Sequence, residues 1–344
     1  MKFSEMKYEK LEVKDIIEKI SSLNEQFNNV TTKDEVLTVY KEYDEYSKYV
    51  SSMRSLAYIR NTIDTKDEYY AEQKEHWNNI FPQYKASFQK FEESLLTSKF
   101  RKELEAEWGN LMFLNMEISQ KTFKPEIVSM LQEENKISSE YDDLMASFQV
   151  EFDGKTLTMP QMAAYAQNPD KNIRKSAVEA IAFWMNEHEP KFGSIFDRLV
   201  KVRTEIAKEL GHETFTQIGY YRMQRNSYDE EMIKKFREGV VKHIVPLTVK
   251  LREQQAKRIS VEKMTPYDVN FLYPQGNPKP KGTPEEILAH GKHMYEELSE
   301  ETKEFINFMM ESDLFDVLSK PGKSVGGYCA DIPLYKAPFI VNSE

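Results

Sequence analysis

The stretch IFDRLVKVRTEI, residues 195–206, sets Ile195, Leu199, Val202 and Ile206 at offsets of four, seven and eleven, with Asp197, Arg198, Lys201, Arg203 and Glu205 polar between them. That is the 3.6-residue period of an amphipathic helix rather than the alternation of a strand. Ile16, Ile20, Leu23 and Phe27 repeat the spacing. Each stripe must bury its apolar side against a neighbour, so the chain reads as mainly α, a packed assembly of helices. Thr32 with Glu35, Thr65 with Glu68, Ser227 with Glu230 and Thr283 with Glu286 fit the capping box, in which hydroxyl and carboxylate satisfy unpaired amides at a helix start. Pro284 follows Thr283, where a first-turn proline is favoured.

Three places interrupt the helical rhythm. Val150-Glu151-Phe152 and Lys155-Thr156-Leu157-Thr158 flank Asp153-Gly154, which predicts a small β-hairpin. That hairpin divides the chain into an N-terminal helical domain, 1–150, and a second helical domain, 151–344. Between Met264 and Lys281, TPYDVNFLYPQGNPKPKG carries too many prolines for a helix and predicts a long ordered loop. From Pro321 to Ile340, PGKSVGGYCADIPLYKAPFI turns Gly-rich and then β-prone, predicting a loop that runs into an extended segment.

The composition narrows the function classes. The 344 residues hold 47 Lys and Arg against 57 Asp and Glu, a formal charge of −10, with 40% hydrophobic and 30% charged residues. Such a chain buries a sizeable core without staples. The acidic balance argues against nucleic acid, whose phosphates demand clustered cations. No window has the roughly 18 consecutive apolar residues of a membrane span, and Met1 to Lys10 lacks the apolar core of a signal peptide. One cysteine forms no internal disulfide, which fits a reducing cytoplasm. These features leave a soluble enzyme, a peptide binder or a scaffold.

Of the chemical motifs, the zinc pattern HExxH is missed twice. His188-Glu189 is followed at the required position by Phe192, and His212-Glu213 by Thr216. His290 and His293 in HGKH share a helix face, but without an acidic third ligand or a base between them they read as solvated. Gly322-Lys323-Ser324 resembles the end of a phosphate loop, yet Val317 stands where its first glycine belongs. His76 and His243 are isolated, and Cys329 reads as an inert thiol unless a histidine lies near it in space. Tyr220, Tyr221 and Tyr228 with Arg222 and Arg225 read as stacked rings at a helix end before they read as a carboxylate site.

Several segments in order resemble the oligoendopeptidase F group of thimet-oligopeptidase-like zinc metallopeptidases: FDGKTLT at 152–158, IRKSAVEA at 173–180, VRTEIAKELG at 202–211, GYYRMQR at 219–225 and VPLTVKLREQQAKR at 245–258. The series continues through YDVNFLYPQGNPKPKGTPEEIL, MYEELSEETKEF and GGYCADIPLYKAPFI. The resemblance implies one lobe of a multi-helix cage around a channel that admits short peptides. It implies a zinc held by the HExxH histidines and a downstream Glu in the complete family enzyme, and an extended segment ending near Ile340 that pairs with substrate backbone. The family motif follows the segment that looks like KAPFI. This sequence stops before it, so no catalytic residue and no metal ligand carries over, and no zinc is expected in this chain. Gly326, Gly327, Tyr328 and Cys329 match positions that border the cleft and are carried as substrate-side residues. The implied partners are short peptides and a C-terminal portion supplied beyond these residues. The contrasting expectation is a non-enzymatic helical module that binds peptides or a partner protein.

Overall fold

The computed structural model describes residues 1–343. Five helices open the chain: α1 (Val13–Asn28), α2 (Lys33–Ile63), α3 (Glu68–Leu96), α4 (Arg101–Trp108) and α5 (Asn110–Gln120). After α6 (Val128–Ala146) come the paired strands β1 (Val150–Phe152) and β2 (Lys155–Leu157), then α7 (Met159–Tyr165), α8 (Lys171–Glu187), α9 (Glu189–Glu209) and α10 (Thr216–Arg222). The last helices are α11 (Glu230–Gly239), α12 (Val245–Arg258), α13 (Pro284–Leu298) and α14 (Glu300–Glu311). Strands β3 (Phe315–Asp316), β4 (Tyr328–Ile332) and β5 (Ala337–Val341) close the fold.

The expected stripes are buried: Ile16, Ile20, Leu23 and Phe27 in α1, and Ile195, Val202 and Ile206 in α9, with Leu199 half-buried. Phe152 faces Lys155 across a two-residue turn in which Asp153 (φ 53°) and Gly154 (φ 69°) are both left-handed, the conformation that suits the twist of a hairpin. The capping boxes at Thr32–Glu35 and Thr283–Glu286 form. Those expected at Thr65 and Ser227 do not: Asp67 accepts from the Tyr70 amide and Asp229 from the Met232 amide, so an aspartate nearer each helix takes the cap. Thr65 instead donates its hydroxyl to the Gly322 carbonyl at 2.7 Å, tying the end of α2 to the C-terminal loop.

Three apolar clusters hold the molecule. One lies among α1, α2, α3, α4 and α5 around Leu23, Phe91 and Phe113. A second packs α6, α8 and α9 against the hairpin around Phe148, Trp184 and Ile206. The third joins the two ends of the chain: Ile16, Met53, Leu56 and Trp77 from the first helices enclose Met309, Leu314, Ile332, Phe339 and Val341 from the last residues.

Helices α11 to α13 stand away from these cores. No residue of α11 or α13 is buried, and in α12 only Gln255 is. Between α11 and α12 the backbone widens into a π turn at Val240–Ile244. Pro246, which lacks an amide and whose ring opposes the carbonyl four residues earlier, accounts for the widening. α13 packs along α14, whereas α12 is joined to the rest of the fold through the loop that follows it. Within the Pro-rich loop, Pro266–Asp268 forms a single 3-10 turn against α8. There Arg174 donates to Asp268 Oδ1 at 3.0 Å and to the carbonyls of Tyr267 (2.9 Å) and Asn168 (2.8 Å). Gln255 donates to the carbonyls of Asp268 (3.1 Å) and Phe271 (2.8 Å).

Candidate functional site

The C-terminal sheet has the order β3-β5-β4. β5 runs parallel to β3 and antiparallel to β4, with Cys329 opposite Ile340 and Ala330 opposite Phe339. The amides of Ile340 and Asn342 donate to the carbonyls of Leu314 (3.0 Å) and Asp316 (2.9 Å), on the β3 side. Backbone groups alternate along an antiparallel pair, so Cys329 and Asp331 turn theirs away from β5. Neither has a backbone partner among the described residues. The extended segment near Ile340 is therefore the central strand, with neighbours on both sides, and the edge open to an added strand is that of β4. This corrects the placement of substrate pairing implied by the resemblance: a sequence shows that a segment is extended, not which of its edges is occupied.

Gly326, Gly327, Tyr328 and Cys329, the residues expected to face substrate, lie at and just before this edge. Gly326 is exposed at φ 98°. Gly327 passes so near β5 that an added Cβ would stand 3.2 Å from the Val341 carbonyl. The Tyr328 side chain is partly buried. Its hydroxyl bonds the Thr62 hydroxyl, its ring lies 5.5 Å from that of Tyr58 on α2, and burial pushes its pKa up. Its hydroxyl is thus engaged in bracing β4 on α2. Cys329 is exposed. No histidine is among its hydrogen-bond or aromatic neighbours. Tyr58 and Thr62 carry no motif in the sequence; they meet Tyr328 only because the last residues fold back on α2.

The Tyr and Arg cluster behaves as stacked rings about an ion pair. Arg222 donates to both oxygens of Glu134, at 3.0 and 2.8 Å, and Arg203 Nε donates to the same carboxylate at 2.8 Å. Arg225 lies over Tyr220 and Tyr228 at 5.0 and 5.7 Å. Lys323 is fully enclosed: it donates to the carbonyls of Asp316 and Leu318, each at 2.9 Å, and bonds the Asp316 carboxylate and the Asn342 carbonyl. It pins the loop before β4, its ammonium turned to protein acceptors rather than to solvent.

The donor set does not fit a zinc centre. His76 bonds the Leu11 carbonyl at 2.8 Å, and His188 bonds the Trp184 carbonyl and stacks on its ring. His212 packs at the edge of Tyr221, and His293 pairs with Glu297 at 3.4 Å on the outer face of α13. Among the described residues, no three His, Cys, Asp or Glu side chains converge as metal ligands. No helix of the described residues is long and apolar enough to cross a membrane.

Residues 3–123 match the family model of the peptidase M3 N-terminal domain, and residues 164–342 match that of peptidase family M3. No curated protein matches the sequence. Among solved structures, PZ peptidase A, determined with an inhibitor, is 43% identical with a TM-score of 0.98, and covers 100% of this chain. A chain provisionally called oligoendopeptidase F from Bacillus anthracis is 41% identical with a TM-score of 0.98, again over 100% of this chain. Oligoendopeptidase F from Enterococcus faecium, at 15% identity and a TM-score of 0.55 over 87% of this chain, shares the fold. The present chain spans 61% of the PZ peptidase A chain, 63% of the Bacillus chain and 61% of the Enterococcus chain. Matched by both M3 family models and by close structural relatives along its whole length, this chain belongs to peptidase family M3, in the oligoendopeptidase F group.

Proposed function

We propose that the protein acts in the hydrolysis of short peptides in the cytoplasm, and that this chain supplies the wall on which the peptide is held. The observation that carries the reading is the open edge of β4 beside α2. An extended peptide pairing there is held by its backbone, which tolerates varied side chains and excludes folded proteins. Zinc is the metal implied by the family, but no three His, Cys, Asp or Glu side chains converge among the described residues, so we assign no residue of this sequence to metal binding or water activation. The 344-residue chain alone is proposed to be inactive and to need the further portion that its longer relatives possess.

Two measurements test this. Fluorescence anisotropy of a labelled short peptide should show binding that weakens ~10-fold in Cys329→Pro, which removes an edge amide, and persists in Cys329→Ser. A quenched peptide mixed with the purified chain should remain uncut with or without zinc. Unchanged binding in the proline variant sinks edge pairing; cleavage that a chelator abolishes sinks the proposed inactivity. A second reading, a non-enzymatic binding module, draws on the apolar residues that α11 to α14 expose, among them Phe236, Leu247, Leu251, Met294 and Leu298. It requires a molar mass in light scattering that rises with concentration while peptides stay uncut in the presence of any C-terminal portion.

A further inference from the structure

Asn61 and Thr65 stand one turn apart at the end of α2, Lys74 and Asn78 one turn apart near the start of α3, and Lys136 and Asp143 two turns apart on α6. The three faces line one cavity of about 530 Å³, a size that holds a small ligand. Its walls are fixed. Asn78 donates to the Ser139 hydroxyl at 2.9 Å, Gln132 to the Asn79 carbonyl at 2.8 Å and Asn135 to the Asn78 carbonyl at 3.0 Å, which clamps α3 to α6.

The floor carries two buried polar groups. Asn61 is 2% exposed and Lys74 is 8% exposed. Neither Asn61 Oδ1 nor Lys74 Nζ has a hydrogen-bond partner among the described residues. Lys74 pairs with the Asp142 carboxylate at 3.6 Å, too far for a hydrogen bond. Holding an ammonium and an amide oxygen in this way is costly, and a ligand that accepts from the first and donates to the second removes the cost. The rim has the opposite charge. Arg198 engages Glu133 at 3.1 Å and Glu140 at 2.6 Å. Glu72, Glu75 and Asp143 are exposed and have no ion pair among the described residues, and Lys136 is the only exposed cation lining the cavity there.

We infer that this cavity binds a free α-amino acid with a cationic side chain. Such a molecule bears its carboxylate and its ammonium on one carbon, so the first accepts from Lys74 while the second donates to Asn61. The side-chain charge then lies toward Glu72, Glu75 and Asp143. A polyamine would set a second cation against Lys74, and an acidic amino acid would set its extra charge against the rim. The site uses no residue of β4 and does not rest on pairing there. Its occupant bridges α2 to α3 and so stiffens the helix on which Tyr328 is braced.

Isothermal titration calorimetry of the full chain compares L-arginine with three analogues that each lack one group: agmatine the carboxylate, Nα-acetyl-L-arginine the ammonium, and L-citrulline the side-chain charge. L-Arginine should bind ~10-fold more tightly than each, as expected of one charge-assisted contact. Lys74→Met should erase the preference over agmatine, and Glu72→Gln combined with Glu75→Gln, both at exposed positions, should erase most of the preference over L-citrulline. Cys329→Pro should leave L-arginine binding unchanged. No binding of L-arginine by the wild type, or equal binding of all four compounds, overturns the proposal, as does a preference over agmatine that survives in Lys74→Met with a native circular dichroism spectrum. Should Lys74→Met fail to fold, the doubly substituted rim decides, and an unchanged preference over L-citrulline there overturns the site. Loss of L-arginine binding in Cys329→Pro places the ligand at β4 and overturns it as well.

Discussion

Glu92 lies part-buried on α3, and its raised pKa of about 7 has a defined effect on stability. From its ordinary value of 4.5 up to about 7, the folded chain holds a proton that the unfolded chain has released, so stability falls as pH rises through that window. Lys85 acts in the opposite sense higher up: between about 8 and 10.5 the unfolded chain holds the extra proton, and stability recovers with pH. Glu92→Gln should therefore leave stability at pH 4 nearly unchanged and raise it by on the order of 2 kcal/mol at pH 7.5. Urea melts at the two pH values would show it, and equal gains at both would contradict it. Neither residue announces itself in the sequence, where Glu92 is one of 57 acidic residues whose surroundings come from helices far along the chain. Lys323 shows the converse limit. Its Gly-Lys-Ser context is visible as text, but three of its four acceptor atoms are main-chain carbonyls, which leave no mark on residue identity.

At the level of elements, periodicity located the helices because it reports directly which side chains are buried. Cap positions were less legible. Thr65 has the right partner in Glu68, yet a hydroxyl can be claimed by a carbonyl 257 residues away while Asp67 serves the helix. The attachment of the arm was also invisible: Arg174 sits within IRKSAVEA as an ordinary charged helix residue, yet its side chain is 3% exposed and that of Asp268 is 0%. Removing one member of a buried pair strands the other, at a cost of about 3–5 kcal/mol. Arg174→Met should therefore release the loop around Pro266–Asp268 and with it α11 and α12. Hydrogen exchange should speed up across residues 230–268 while α1 to α3 stay protected. Uniform loss of protection, or none, would show that the arm is held elsewhere.

Across the whole molecule, the hairpin at Asp153-Gly154 reads as a seam in the sequence, whereas the third core ignores that seam and joins residues near both ends. Met309, Leu314, Ile332, Phe339 and Val341 are each at most 2% exposed within it. At about 1.5–3 kcal/mol per fully buried side chain, their combined burial is comparable to the whole stability of an ordinary domain. A chain stopped after residue 308 should accordingly lose cooperative unfolding of α1 to α3 and bind a hydrophobic dye, whereas a native-like melt from that shortened chain would show that the first helices hold without the final strands. The open β4 edge belongs to the same scale. GGYC marks the place in the sequence, but which strand has a vacant side depends on β3, two residues long and twelve ahead of Tyr328.

That closure of the two ends also has a consequence for synthesis. α1 leaves the ribosome early, while the strands that complete its core are made some 300 residues later. At about 5–20 residues per second the first helices wait on the order of half a minute with an apolar face uncovered. During that interval a chaperone would find its binding surface on α1 to α3, and a change that slows translation of the later helices would lengthen the exposure without altering any contact in the finished protein.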